Sequence, residues 1–354
     1  MKKLATLLSL LTGLYLAAGN QYNFVVLGDI HFDGQEYHLT PVKPRYQNAR
    51  QRNINMWKNG SSQAVLQAAA KSVTPEMPFV LQLGDFVQGD CDTHALLEKM
   101  FAEGFKLVKS FFPDHKLFAA IGNHDGHVSK HPDFQHIPVK KAFLPLIERE
   151  LGRPTSDGNY VVEHGQDLYI FVNPFAGKAP AVKFVKEALK NHPASRYTFF
   201  ITHLPIFPGA TSHATTLLPG RGELIKELAR RNAIILSAHT HLPAFVRVET
   251  PDGTLTQITV SSLGYAWNPQ KKNRVVRQDF AAYTASIVPA QRNTPAVKRM
   301  LDEIKKLKIH DYEIYSAWSC FAVIDVNDQA VTVKYYCNDS GKPWRVKTIK
   351  SIRQ

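Results

Sequence analysis

Cysteine is scarce in this chain, at 3 of 354 residues. No dense disulfide framework can hold it together, so its fold rests on a hydrophobic core. Long apolar runs are scarcer still. Residues 4–16 form the longest, shorter than the ~20 residues a membrane span needs. Repeats at solenoid periods are absent, as are low-complexity stretches. What remains is 44% hydrophobic, which suits one large domain or one domain with an appendage. Acidic residues are the minority: 30 Asp and Glu stand against 43 Lys and Arg, for a formal net charge of +13. That balance favours anionic substrates, nucleic acid or an anionic envelope surface over cationic ligands.

The first 19 residues read as an export signal. Lys2 and Lys3 give a positive start, residues 4–16 an apolar stretch, and Ala17-Ala18-Gly19 small residues for cleavage. No cysteine follows the cleavage region, which argues against a lipid anchor. Losing Lys2 and Lys3 with the leader leaves a charge of +11. The expectation is a secreted or periplasmic protein whose mature domain, residues 20–354, has no transmembrane segment. Two of the cysteines, Cys320 and Cys337, flank an expected hairpin around Asn327-Asp328-Gln329-Ala330. If that turn centres on Asp328-Gln329, the two thiols face each other, and an exported protein can oxidise them. Cys91 is left over as a buried thiol.

Five short apolar runs organise the rest, at residues 24–27, 79–83, 117–121, 198–202 and 234–237. Each is free of proline and reads as a buried strand. Helix-like segments lie between them, at 63–72, 94–110, 139–151, 181–191 and 222–231. Such alternation predicts βαβ units. Each run ends in polar residues of one kind: Gly28-Asp29-Ile30-His31, Gly84-Asp85, Gly122-Asn123-His124-Asp125, His203, and Ala238-His239-Thr240-His241. The C-terminal edge of such strands is where α/β folds bind ligands. Singly, each motif has an ordinary explanation as a turn, a cap or a core histidine. Together they place Asp29, His31, Asp85, Asn123, His203, His239 and His241 on one edge of one or two sheets, and core packing has no use for that selection.

Imidazoles and carboxylates in one place suit borderline ions such as Mn, Fe, Zn or Ni. Seven ligands exceed what one catalytic ion with an open position takes, so two divalent or trivalent ions are expected. With two divalent ions, two carboxylates and one bridging hydroxide, the formal charge is about +1, which attracts an anionic phosphate ester. His124, beside the ligand candidate Asn123, is the best placed donor of a proton to a leaving group.

This set of motifs, spanning residues 22–245, resembles the calcineurin-like metallophosphoesterase family. The resemblance implies an α/β fold, a four-layer α/β/β/α sandwich of two mixed sheets flanked by helices. It implies that Asp29, His31, Asp85 and His241 hold one metal. Asp85, Asn123, His203 and His239 would hold the other, with Asp85 bridging and His124 a non-ligand acid. The reaction implied is hydrolysis of small phosphate mono- or diesters by a hydroxide bridging the ions. Three departures stand out. Ala238 replaces a usual glycine, which restricts φ > 0. Gln88 and Gly89 replace an Asp and an Arg of the protein-phosphatase branch. His31 stands where purple acid phosphatases have no histidine.

Outside the motifs, the insertion at 32–75 is expected to shape the substrate pocket with Tyr37, His38, Arg45, Tyr46, Arg50, Arg52 and Trp57. His127, His213, and Tyr265 and Trp267 are further candidates for substrate contact. Thr294-Pro295 should cap a helix running to about residue 308, and a C-terminal extension, 265–354, should complete the second sheet with strands at 320–336. Two other readings compete: a nuclease using the basic excess, and a binding scaffold without catalysis. All seven ligand positions are filled, which counts against the scaffold.

Overall fold

The computed structural model describes residues 21–39, 44–129, 133–209, 216–263, 275–316, 319–337 and 341–351. The export signal, His213, Tyr265 and Trp267 lie outside them. Among the described residues fourteen strands form two sheets that pack face to face. The first runs β14 (Arg345–Lys350), β13 (Ala330–Tyr336), β12 (Phe321–Val326), β1 (Tyr22–Leu27), β2 (Phe79–Gln82), β3 (Lys116–Ala119). The second runs β10 (Val275–Arg277), β11 (Lys308–Tyr315), β8 (Ala244–Thr250), β9 (Gly253–Thr259), β7 (Ile234–Ser237), β6 (Thr198–Thr202), β5 (Asp167–Val172), β4 (Tyr160–His164). Both are mixed. In the first, β1, β2 and β3 are parallel and β12 is antiparallel to β1. In the second, β5, β6, β7 and β9 are parallel, while β4 pairs antiparallel with β5, β8 with β9 and β11 with β8.

Alternation of side chains sends one set of residues from each sheet inward. Phe24 and Phe79 of the first sheet meet Tyr169 of the second at 5.6 and 5.1 Å between ring centroids, and Phe24 meets Phe199 at 5.7 Å. The outer face of the second sheet is also apolar. Ile170, Phe200 and Ile235 pack there with Val185 of α5 (Lys178–Asn191), Leu224 of α6 (Arg221–Ala229) and Leu301 of α8 (Pro295–Lys305). Strands buried on both faces explain the unbroken apolar runs of the sequence. Helices α1 (Pro44–Lys58), α2 (Ser61–Lys71) and α3 (His94–Phe111) belong to the connections of the first sheet, and α4 (Leu144–Leu151) to the crossing from β3 to β4. In α3, Leu97, Met100, Phe101, Gly104, Phe105 and Val108 form the buried stripe. The Thr93 hydroxyl caps it by accepting from Leu96 N at 3.3 Å. A seventh helix, α7 (Phe280–Ser286), precedes α8.

Two local expectations change. The helix opened by Thr294, whose hydroxyl accepts from Val297 N at 3.4 Å, ends at Lys305 because Lys308 already begins β11. The hairpin at 320–336 joins the first sheet rather than the second, because β12 pairs along its whole length with β1, Tyr22 opposite Val326 and Leu27 opposite Phe321.

Its turn does centre on Asp328-Gln329, with Asn327 N donating to Ala330 O at 3.0 Å. Counting pairs outward, Cys320 faces Cys337 at a non-hydrogen-bonded position, where strand backbones lie closest. The two buried thiols are 3.0 Å apart. Oxidation should therefore join them without moving the strands. The intact oxidised protein should gain the mass of two hydrogens on reduction, and an unchanged mass would rule the bond out.

Candidate metal centre

The five expected loops lie at one end of both sheets and are tied together by backbone and buried amides. Ile30 N and His31 N donate to Asp85 O at 3.0 and 2.9 Å. Ala238 N donates to His203 O at 3.1 Å. Gln82, wholly buried, donates from Nε2 to Gly28 O and Gly84 O at 3.1 and 2.6 Å and accepts from Gly84 N at 3.0 Å. Asp125 accepts from Val87 N at 3.1 Å and Gly122 N at 2.7 Å, which joins the loops after β2 and β3. Neither Gln82 nor Asp125 stood out in the sequence as a site residue. Gln82 is hidden in an apolar run, and Asp125 reads as a turn residue.

The backbone pays for this convergence. His31, Asp85, His239 and His241 have φ of 48°, 52°, 67° and 54°, in the left-handed region that non-glycine residues avoid. Each such residue costs on the order of 1–3 kcal/mol and persists only where its surroundings hold it. The left-handed position falls on His239 rather than on Ala238, so alanine fits at 238 without strain. Gly122 is required by close approach: a Cβ there would lie 2.1 Å from Asp85 N and 2.2 Å from Asp85 Oδ1.

Among the described residues three ligand-type groups result: Asp90, His124 and His127 form one, and Asp85 is in both of the others. Asp29, His31, Asp85 and His241 offer atoms within 4.8 Å of one another, as do Asp85, His203 and His239. In the first, His31 Nε2 and His241 Nε2 are 3.0 Å apart, and Asp85 Oδ2 is 3.9 Å from His31 Nε2. In the second, His203 Nε2 lies 3.1 Å from Asn123 Oδ1, 3.1 Å from His239 Nδ1 and 3.3 Å from Asp85 Oδ2. His203 Nδ1 donates to Leu83 O at 3.0 Å, the kind of carbonyl contact that orients a metal-ligating imidazole.

Such crowding of acceptors calls for a cation. Asp29 Oδ2 is buried and has no hydrogen-bond partner. Burial raises the Asp29 carboxyl to about 7. Burial would lower His203, but Asp85 and Asp29 override it and raise the imidazole to about 9, so without another cation a proton stands among the acceptors. Burial would raise Asp85, but the imidazoles of His203 and His124 hold it well below the usual carboxylate range. Burial, then His124, pushes His31 well below its ordinary value, leaving the neutral imidazole that metals bind. The donor set therefore fits two borderline ions sharing one carboxylate.

His124 stands outside the two groups that share Asp85. Its side chain is 26% exposed, like His241 at 27%, against 3% for His31 and 0% for His203. Its backbone N donates to Asp85 Oδ1 at 2.8 Å and its Nδ1 donates to Gln88 O at 2.7 Å. The ring meets that of His31 edge-on at 4.8 Å. Burial would lower its pKa, but Asp85, Asp90 and the Gln88 carbonyl raise it. His127 and Asp90 lie beside it, with His127 Nδ1 3.8 Å from Asp90 Oδ1. Of the expected pocket residues in the insertion, Tyr37 donates to Glu103, and His38 Nε2 sits 2.6 Å from Asp33 Oδ1. Both are buried.

The calcineurin-like phosphoesterase family profile matches residues 22–243, the part of the chain that supplies all five loops. The chain belongs to the calcineurin-like phosphoesterases. The family, the two-sheet fold and the ligand-type groups agree with one another. Among solved structures, purple acid phosphatase PPD1 from yellow lupin (Lupinus luteus) seeds superposes with a TM-score of 0.56 at 10% identity. That match covers 94% of this chain and 54% of the lupin enzyme, so the chain spans about half the length of that relative. A dimetal phosphatase from Danio rerio gives 0.54 at 13% identity, covering 94% of this chain and 99% of that one. PhoD gives 0.51 at 8% identity, covering 94% and 68%. At such identities the likeness is one of fold. No curated protein matches the sequence.

Proposed function

We propose that this calcineurin-like phosphoesterase is an exported two-metal hydrolase of small phosphate mono- or diesters. The observation that carries the reading is the pair of ligand groups sharing Asp85, with His124 at their open side. Asp29, His31, Asp85 and His241 would hold one ion, and Asp85, Asn123, His203 and His239 the other. Mn, Fe, Zn and Ni all suit these donors. Such ions supply positive charge against the phosphate oxygens and bring the pKa of a water towards about 7. The chain's own contribution is orientation and a proton. Asp85 fixes the His124 backbone, Gln88 O accepts a hydrogen bond from Nδ1–H, and Nε2–H is left to protonate a departing oxygen. Export is supported by Lys2, Lys3 and the apolar stretch at 4–16. Among the described residues no helix is long and apolar enough to cross a membrane.

A panel of aryl phosphomonoesters, aryl phosphodiesters and nucleotides, run with Mn, Zn, Fe and Ni, tests the reading. Metal-dependent hydrolysis that a chelator abolishes is expected. A metal-loaded sample inert on every ester would favour a binding scaffold. The nuclease alternative draws on Lys298, Arg299, Lys305 and Lys306, all exposed on α8. Asp302 and Glu303 interrupt that face and pair with Lys305 and Arg221. Binding to DNA or RNA that weakens steeply with salt would restore it.

A further inference from the structure

Helix α1 is polar in sequence, yet one of its faces is buried. Arg50, Asn53 and Trp57 are three and four residues apart, so they share that face. They are 7%, 3% and 5% exposed. Each reaches a loop of the metal centre. Trp57 Nε1 donates to His31 O at 2.8 Å, on the loop after β1. Arg50 Nη2 donates to Asp90 O at 2.7 Å, after β2, and lies 3.4 Å from Ser129 Oγ, after β3. Asn53 Nδ2 donates to Gln88 Oε1. The helix therefore holds three of the five loops from outside the sheets.

The Asn53 contact matters most, because Gln88 faces His124 in two ways. His124 Nδ1 lies 2.7 Å from Gln88 O and 3.2 Å from Gln88 Nε2. The first contact needs a proton on Nδ1 and the second needs a lone pair there, so they belong to different tautomers. By donating to Oε1, Asn53 fixes which way the Gln88 amide points. Its Nε2 then faces Asp90 Oδ2 at 3.1 Å, and the Gln88 carbonyl is held 2.7 Å from Nδ1 of His124.

We propose that Asn53 is a positioning residue of the reaction: acting through Gln88, it holds the orientation of the His124 imidazole. The proposal rests on the phosphoesterase reading for its kinetic consequence but not for its structural one. It also revises the role of α1, which braces the catalytic loops and contacts no substrate through this face.

The test uses Asn53→Ala, with Asn53→Ser restoring a donor. In metal-free full-length protein, ¹H and ¹⁵N shifts of the His124 ring should show one hydrogen-bonded Nδ1–H in the wild type, a shifted or broadened one in Asn53→Ala and a partial return in Asn53→Ser. With metal restored and its content unchanged, Asn53→Ala should lower kcat by about 10–100-fold on phenyl and alkyl phosphates, the usual scale for a displaced catalytic group. It should lower kcat less than about 2-fold on dinitrophenyl phosphate, whose leaving group needs no proton. KM should change little. Unaltered ring shifts, or an equal loss on every leaving group, would overturn the proposal and leave Asn53 a structural brace. If the wild type is inert on all esters, the phosphoesterase reading falls, while the ring shifts still decide whether Asn53 governs His124.

Discussion

Replacing Asp85 by asparagine is expected to strip at least one metal equivalent and to cost at least ~10²–10³-fold in activity, the scale on which a single electrostatic group is lost. The substitution is nearly isosteric, so the fold should survive it. Asn keeps an oxygen for the His124 N–H, now held by Asp85 Oδ1 at 2.8 Å. What it loses is charge at the one position common to both groups, 3.3 Å from His203 Nε2 and 3.9 Å from His31 Nε2. The carboxylate charge of the seven-residue set falls from two to one, and Asp29 alone must then balance both ions. A change at His241 or His239 would touch one group only. Elemental analysis checks the assignment. Thermal melting adds a second readout, since an ion that binds only the folded chain raises its stability. The rise in Tm on adding metal should be smaller in Asp85→Asn than in the wild type. Two full metal equivalents in the variant would contradict a shared carboxylate.

The five strands that carry the centre were legible because each is buried on both faces, so periodicity plays no part: residues 24–27 are all 0% exposed. Burial is not the whole rule, since β5, Asp167–Val172, is buried throughout and escaped, but a wet face hides a strand too. β14, Arg345–Lys350, buries Ile349 and leaves Val346, Thr348 and Lys350 outside, a pattern too weak to separate from a basic tail. Sheet membership was illegible for a different reason. The partner of β12 is β1, about three hundred residues earlier, and nothing local in either strand names the other. The candidate ligands were legible through chemistry, since Asp, His and Asn recurred at one structural place. Their supports were not. Gln82, Gln88 and Asn53 are buried amides, and a sequence gives no sign that an amide is buried. Helix α1 shows the limit most clearly. Its inner face carries Arg50 and Asn53 where an apolar stripe is the usual signal, because those side chains meet loop carbonyls and an amide rather than a core.

Replacing His124 by alanine is expected to leave both metals in place and to slow turnover by ~10²–10⁴-fold, the range for loss of a general acid. The metals should stay because the imidazole stands outside both groups that share Asp85, and its Nδ1 is spent on Gln88 O at 2.7 Å. The backbone N–H that Asp85 Oδ1 accepts survives the substitution. The rate should fall because no buried neighbour is placed to substitute. Outside the ligand set the imidazole of His127 lies beside it, its ring 5.0 Å away, but burial and the adjacent His124 push its pKa down, so it holds a proton poorly. His124 is shifted the opposite way: Asp85 and Asp90 overcome its burial and keep the proton on the ring, the state a donor needs. The loss should be greatest for esters with basic leaving groups and shrink as the leaving group grows more acidic. Measuring kcat across such a series, with metal content determined on the same samples, separates the possibilities. Unchanged turnover would remove the acid role. A loss of metal in step with activity would instead move His124 among the ligands.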